Sequence, residues 1–175
     1  MRMRQVAKFW SLSRREKNLL CEASILLFLS VTCVRTIAFE HIDRFLRTHW
    51  QNAPQGSIGR EEEITLVRRS IARAANVLPW KSLCLTRSIA EFIMLRGRGI
   101  PAVMFAGVRF SGHSSLEAHA WVETGLGEND NSSITSNFTT VISIGRTDAA
   151  SDRQETSALK KVCWQALHAI EVNQE

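Results

Sequence analysis

The order of the predicted elements indicates an α+β fold, with helices first, then a short antiparallel sheet, then a closing helix. Apolar residues recur at helical spacing through most of the first hundred residues, and three runs typical of β-strands follow. A last helical pattern closes the chain. The 175 residues, 45% of them apolar and 22% charged, are enough to bury a core without disulfides or a structural metal.

Two helices are predicted before the first clear loop. Ser13-Arg-Arg-Glu16 is a capping box that starts a helix over about 14–34. A second helix is predicted over about 35–50, from apolar residues near a 3.6-residue period: Ile37, Phe39, Ile42, Phe45 and Leu46. Asn, Pro and Gly then mark a loop over 51–59. We therefore predict an N-terminal helical region at 1–58 and a second domain at 59–175.

The longest uncharged run, from Ala23 to Val34, is too short to cross a membrane. Twelve helical residues reach roughly 18 Å, whereas a bilayer core is about 30 Å thick. The run starts late for a signal peptide, and no cleavage site of the A-x-A kind follows. We expect a buried helix in a cytoplasmic protein. The alternative is a helix that docks on a membrane surface or a partner, which basic residues near it favour: Arg2, Arg4, Lys8, Arg14, Arg15 and Lys17.

The second domain is predicted to begin with two more helices. Three glutamates at 61–63 occupy the first turn of one helix, and Pro79 stops it. Its expected buried stripe consists of five residues: Ile64, Val67, Ile71, Ala74 and Val77. The next helix is predicted over 83–96, and Gly97 ends it. Its apolar face consists of Leu85, Ile89, Phe92 and Ile93.

Three strands and a final helix complete the predicted domain. The strands are expected at 102–110, 117–124 and 138–144, because β-branched and aromatic residues recur there between turn sequences. The closing helix is expected at 155–172, with an inward face of six residues: Leu159, Val162, Cys163, Ala166, Leu167 and Ile170.

Charge and cysteine content argue against two classes of protein. The net charge is +5, but residues 1–50 hold nine Lys/Arg against four Asp/Glu, and the remainder holds thirteen of each. A nucleic-acid-binding domain would more often carry a basic stripe across its main body, so we expect no nucleic-acid partner. The four cysteines contain no C-x-x-C pair. We therefore expect no zinc site and reduced thiols.

Cys84 is the candidate nucleophile, because it opens a predicted helix. Unpaired backbone N–H groups and the positive end of the helix dipole both favour the thiolate form of a cysteine at this position. The same N–H groups could stabilise an oxyanion after attack on a carbonyl. The alternative is an inert core thiol, since free cysteine is among the most buried residue types.

His119 is the candidate base. Strand alternation places His119, Trp121 and Glu123 on one face, with small apolar residues on the other. Imidazole, indole and carboxylate on one face suit the lining of a site. The alternative is a structural histidine bonded to a carbonyl. His113 is a rival, but it lies in a sequence typical of a turn.

A third group should orient the base, and Asp130 is the candidate. It follows the histidine strand after a Gly-containing turn, and a chain reversal there would bring it back beside His119. The alternatives are an ordinary turn aspartate at 130, or another orienting acid, either Asp148 or Glu123.

The spaced motifs around these residues resemble the lasso-peptide biosynthesis B2 proteins, the microcin J25-processing family. The matching residues are Leu78-Pro-Trp80, Cys84-Leu, Arg87, Leu95-Arg, Arg98-Gly-Ile-Pro101, Gly107-Val-Arg109 and Ala118-His-Ala-Trp-Val-Glu123. Trp10-Ser-Leu-Ser-Arg-Arg-Glu16 resembles the helical start of that family. The likeness covers most of residues 10–146 and is strongest over 78–123, where several motifs agree.

The resemblance implies a leader peptidase with a transglutaminase-like, papain-like cysteine protease fold. It implies Cys84 as nucleophile and His119 as base. The acid of the family usually lies about one residue further from the histidine than Asp130 does, so this position departs from the pattern. Trp80 and Trp121 are candidate substrate contacts.

The resemblance also implies a substrate and two partners. The substrate is a ribosomal precursor peptide, cut between leader and core. The partners are a leader-recognition protein and an ATP-dependent lasso cyclase. Residues 1–50 are helical in pattern, whereas a fused recognition element would begin with strands, so we infer a separate recognition protein. No phosphate-binding G-x-x-x-x-G-K-[S/T] loop occurs, and we expect no cofactor in this chain.

Two other functions remain open from the sequence. The same three residues could pass the acyl group to an amine instead of water, as a transglutaminase-like acyltransferase or amidase. The chain could instead be a non-catalytic scaffold of the same fold.

Overall fold

The structure is a computed structural model that describes residues 12–50, 61–77, 84–111, 115–124, 137–145 and 157–172. Eight elements follow one another along these residues: α1 (Arg14–Thr36), α2 (Phe39–Trp50), α3 (Glu61–Val77), α4 (Cys84–Arg96), β1 (Ala102–Ser111), β2 (Ser115–Thr124), β3 (Thr139–Ile144) and α5 (Ser157–Val172). Their order confirms the predicted α+β class.

Helix α1 begins at the predicted capping box. The Ser13 hydroxyl accepts the backbone N–H of Glu16 at 3.2 Å, and the Glu16 carboxylate accepts the backbone N–H of Ser13 at 3.0 Å. These bonds satisfy two donors that a helix N-terminus leaves unpaired. They also lower the pKa of Glu16, first through the backbone bond and then through the Ser13 hydroxyl.

One face of α1 is buried in the core. It contributes Leu19, Ala23, Leu27, Val31 and Val34, and the helix packs against α3 and α4. The prediction of a buried helix therefore holds for this face alone, since large apolar side chains on the opposite face are exposed.

A single hydrophobic core extends from the N-terminal helices to the sheet. Leu27 of α1 and Leu46 of α2 belong to the same cluster as Val67 of α3, Phe92 of α4 and Met104 of β1. The predicted domain boundary at residue 58 falls within 51–60, outside the described residues.

The three described strands form an antiparallel sheet with β1 in the centre, in the order β2-β1-β3. In the β1–β2 register, Ala106 lies opposite Ala120 and Gly107 lies opposite His119. The β1–β3 pairing shifts between Ala106 and Gly107, which marks an irregularity in the ladder.

The sheet buries one face against the helices. Alternate residues on all three strands are buried there: Ala102, Met104, Ala106, Ala118, Ala120, Val122, Ile142 and Ile144. Helices α4 and α5 both pack on the sheet. Because successive strand residues point to opposite faces, Gly107, Arg109, Glu117 and His119 lie on the other face.

Several residues predicted to be inward are exposed. Val77 is 65% exposed at the last position of α3, and Val162 of α5 is also exposed. Ile37, just after α1, and Phe45 of α2 are also exposed, and Leu46 is the one buried residue of α2. Periodicity identifies a helix face, but the neighbouring elements decide how much of that face is covered. The side chains of Leu159 and Ile170 lie outside the described part of α5.

Candidate active site

Cys84 is the first residue of α4, as the sequence predicted for the nucleophile. Its side chain is half-buried and packs against the hydrophobic core. The N-terminal N–H groups of a helix have no partner within the helix and carry partial positive charge. Cys84 is therefore placed where negative charge on sulfur or on a nearby oxyanion is favoured.

Cys163 on α5 lies close enough to Cys84 to feel its charge. Burial, and secondly negative charge on Cys84, together raise the pKa of the Cys163 thiol to about 12. Cys163 thus remains a neutral thiol in the core, whereas Cys84 lies at the boundary of the core. All four cysteines are free thiols.

His119 lies in the middle of β2 and is half-buried. Its ring is nearly parallel to that of Trp121, with centroids 6.1 Å apart, and the Phe138 ring lies 5.5 Å away. The residue opposite on β1 is Gly107. A Cβ atom at Gly107 would lie 2.8 Å from the Thr139 carbonyl oxygen and 3.1 Å from the Trp121 ring, so glycine permits this close packing.

Arg109 is the charged group that most directly affects His119. Burial lowers the pKa of His119, and the positive charge of Arg109 lowers it further. Arg109 is held by Glu117, which accepts its Nε at 2.7 Å, and by the Phe138 ring, whose centroid is 4.7 Å from the guanidinium carbon. A lowered pKa keeps the imidazole neutral at neutral pH, the form that a general base requires.

Glu123 already has a hydrogen-bond partner on its own strand. The Trp121 indole Nε1 donates to its carboxylate at 2.9 Å. Glu123 lies four positions after His119 on β2, a distance of about 13 Å between Cα atoms. This geometry disfavours Glu123 as the group that orients His119.

Trp121 is a packing residue in the described structure. It is 7% exposed, and its ring stacks with that of Phe105 at 5.7 Å. Contact between Trp121 and a substrate stays a prediction. Trp80, His113, Asp130 and Asp148 lie outside the described residues, so their proposed roles also stay predictions.

The fold places the helix of Cys84 against the strand of His119. Helix α4 packs on β1 and β2. Arg68 of α3 joins them, since its Nε donates to Glu91 of α4 at 2.8 Å and its Nη2 donates to the Val122 carbonyl of β2 at 3.4 Å. The direct pairing of Cys84 with His119 stays a prediction.

No local sequence pattern predicted a role for Arg109, Phe138, Arg68 or Glu91. The pairing of Arg109 with Glu117 could have been found once the hairpin register was assumed, because opposite charges face each other across the two strands. The Arg68–Glu91 pair joins two helices, and no local pattern predicts it. Within the described residues, no group of three His, Cys, Asp or Glu side chains could hold a metal ion.

The amino-acid sequence matches a known protein family over most of its length. The sequence model of the transglutaminase-like superfamily matches residues 22–143. The chain belongs to the transglutaminase-like superfamily. The match includes Cys84, His119 and Asp130, and it extends from α1 to β3. No curated protein and no solved structure gives a significant match to the chain.

Membership of the transglutaminase-like superfamily confirms the predicted fold family. The helices, the three-stranded antiparallel sheet and the C-terminal helix make up its α+β architecture here. The fold of this superfamily is that of papain-like cysteine hydrolases and transferases. The described residues supply a cysteine at a helix start and a histidine held neutral on a neighbouring strand.

Proposed function

We propose that this transglutaminase-like protein is a cysteine peptidase that removes the leader from a ribosomally made lasso-peptide precursor. The observation that carries the proposal is the position of Cys84, at the first residue of a helix that packs on the strand of His119. The motif resemblance over 78–123 supports the substrate class. The superfamily match supports the cysteine chemistry.

The proposed reaction has two steps at one carbon atom. His119 takes the thiol proton of Cys84, and the sulfur attacks the scissile carbonyl to form a tetrahedral oxyanion. The N-terminal N–H groups of α4 stabilise that oxyanion. The leaving amine takes the proton from His119, and the acyl group remains on sulfur. Water activated by His119 then releases the leader as a carboxylic acid and restores the thiol.

Asp130 is the proposed orienting group for His119. It would fix the imidazole tautomer and stabilise the imidazolium that forms during the reaction. The hydrogen bond from Trp121 to Glu123 leaves Glu123 a poorer candidate. Asp148 is the remaining alternative from the sequence.

The proposed substrate is delivered by other proteins. We propose a separate leader-recognition protein that presents the precursor, and a lasso cyclase that uses the released core. The chain itself is proposed to need no cofactor and to act in the cytoplasm.

The test is mass spectrometry of a precursor peptide incubated with the protein, with and without its recognition protein. We expect one new peptide boundary between leader and core. Cys84→Ala and His119→Ala should each abolish cleavage, and Cys21→Ala is the matched control because Cys21 is an exposed cysteine on α1. Circular dichroism would show that each variant is folded.

Two outcomes would redirect the assignment. Adducts between the leader and an added primary amine, at the expense of the free acid, would indicate an acyltransferase. An unchanged precursor in the presence of the recognition protein, together with a Cys84 alkylated no faster than Cys21, would indicate a scaffold.

A further inference from the structure

The outward face of α1 is apolar and exposed. Ile25, Phe28 and Leu29 are 54%, 52% and 48% exposed, and they cover adjacent positions on one side of the helix. No charged residue lies between Glu22 and Arg35. A helix that is apolar all round is normally covered all round, but the described part of the chain covers only the inward face of α1.

Three hydroxyl groups of α1 donate hydrogen bonds within the helix. Ser24 donates to the Leu20 carbonyl at 2.8 Å, and Thr32 donates to the Phe28 carbonyl at 2.9 Å. Thr36 donates to the Thr32 carbonyl at 2.7 Å. These bonds let hydroxyls enter an apolar medium without losing a hydrogen bond. They also leave few directional groups for a specific protein partner to recognise.

Three of the four acidic side chains in residues 1–50 pair with arginines. Glu16 pairs with Arg73, Glu22 pairs with Arg98, and Asp43 pairs with Arg47. By contrast, Arg14 and Arg35 are exposed at the two ends of α1, and Arg44 is exposed on α2. The first 50 residues hold nine Lys/Arg against four Asp/Glu. The apolar face is thus flanked by positive charge.

We infer that the outward face of α1 docks on an anionic membrane surface. The helix lies in the plane of the interface, with Ile25, Phe28 and Leu29 inserted below the headgroups and Arg14 and Arg35 beside lipid phosphates. Over its full 23 residues, helix α1 is long and apolar enough to cross a membrane, as are core helices of soluble proteins and signal sequences. Its inward face belongs to the protein core, so α1 lies on the membrane rather than across it.

The composition of the patch favours lipid over a protein partner. Protein interfaces are enriched in Tyr, Trp, Phe, Met and Arg at their centres, whereas two of the three side chains in this patch are aliphatic, Ile25 and Leu29, and its basic residues lie only at the ends. Insertion of aliphatic side chains combined with attraction of flanking cations is the usual mode of an interfacial helix.

The test is co-sedimentation of the full-length protein with lipid vesicles. The vesicles contain either phosphatidylcholine alone or phosphatidylcholine mixed with phosphatidylglycerol. We expect binding to the anionic vesicles that weakens at high salt. The triple variant Ile25→Gln/Phe28→Gln/Leu29→Gln should lose about tenfold or more in binding, because it removes the inserted apolar area. Val77→Gln, at an exposed valine on α3, is the control and should bind like the wild type.

The charge contribution is tested with two variants of equal net charge. Arg14→Gln/Arg35→Gln should weaken binding by about tenfold or more, since each cation near an anionic surface contributes roughly fivefold. Arg69→Gln/Lys161→Gln changes exposed cations on α3 and α5 and should have little effect. If the two double variants lose vesicle binding equally, the effect is one of overall charge, and the proposed docking site is overturned.

Two results would overturn the proposal directly. One is that the wild-type protein does not bind anionic vesicles, or that the triple apolar variant binds them as strongly as the wild type does. The other is a self-associated wild-type protein that the triple variant converts to a monomer, as judged by size-exclusion chromatography with light scattering. That result would assign the face to a second copy of the chain. Neither outcome depends on peptidase activity.

Discussion

Arg68 and Glu91 form an ion pair that connects α3 with the helix of Cys84. The Arg68 Nε lies 2.8 Å from the Glu91 Oε1, and Arg68 also reaches the Val122 carbonyl on the strand of His119. Burial raises the pKa of Glu91, although its bond to Arg68 acts in the opposite direction. Ionising the partly buried Glu91 carboxylate therefore costs free energy. Its role is to hold the Arg68 side chain in position.

We predict that Glu91→Ala destabilises the protein by about 1–3 kcal/mol, because it leaves Arg68 without its carboxylate partner in a partly buried site. Glu91→Gln should cost less, since it keeps an acceptor and removes a carboxylate that burial disfavours. Urea unfolding measures both. Glu62→Ala, at an exposed glutamate of α3, is the control. Equal losses for Glu91→Ala and Glu62→Ala would contradict a role for the pair.

The cysteines should differ in reactivity with iodoacetamide. We expect Cys84 to be alkylated first, since it lies at a helix N-terminus, and Cys163 last, since it is buried and its pKa is raised to about 12. Exposed Cys21 gives the reference rate for an accessible thiol. Peptide mass spectrometry of the folded protein measures all three rates. A Cys84 rate equal to that of Cys21 would argue against an activated thiol.

The pH dependence of cleavage should reflect His119. Because burial and then Arg109 lower its pKa below 6.5, the neutral base persists at pH 6.5 and is lost only at lower pH. We expect the acidic limb of kcat/KM to lie below pH 6.5. Arg109→Gln should move that limb upward, because it removes one of the two causes. The control Arg69→Gln should not move it.

The same pKa shift has a consequence for stability. The folded state holds His119 with fewer bound protons than the unfolded chain does near pH 6.5, so this group's contribution to stability falls as pH falls through that range. Unfolding of His119→Gln and wild type across pH 5 to 8 would measure this. A wild-type stability that rises on acidification relative to His119→Gln would contradict the sign.

Gly107→Ala should destabilise the sheet by about 1–3 kcal/mol, because its Cβ would overlap backbone that cannot easily move. The Thr139 carbonyl oxygen would be 2.8 Å away and the Trp121 ring 3.1 Å away. Trp121 stacks beside His119, so cleavage should fall as well. Phe110→Ala, at a highly exposed position of β1, is the control. If Gly107→Ala leaves the thermal unfolding midpoint unchanged, the strands can move apart to fit the Cβ atom without loss of stability.

The third member of the site should be identified by comparing acids. We predict that Asp130→Ala lowers kcat more than Glu123→Ala, since the Glu123 carboxylate already accepts a hydrogen bond from the Trp121 indole. Asp130→Asn should lose less than Asp130→Ala, because an amide can also orient an imidazole. Single-turnover cleavage measures the differences. A larger loss for Asp148→Ala or Glu123→Ala would assign the orienting role to that residue.

Local sequence patterns predicted the described helices and strands and named candidates for the catalytic residues. The capping box fixed where α1 begins, because its bonds are local and join residues three apart. Period-two alternation in β2 separated Ala118, Ala120 and Val122 from His119, because a strand turns successive side chains to opposite faces. Apolar residues at helical spacing predicted a helix over 83–96 that Cys84 opens, and α4 begins at Cys84.

The faces that are covered and the charges that act on the site follow from how the elements pack together. The exposure of Phe28 and Val77, the lowered pKa of His119 beside Arg109, and the Arg68–Glu91 pair all depend on residues distant in the chain. Helical and strand periods arise from backbone geometry over a few residues, whereas burial and electrostatics depend on which segments meet. The packing of the whole core determines which segments are in contact.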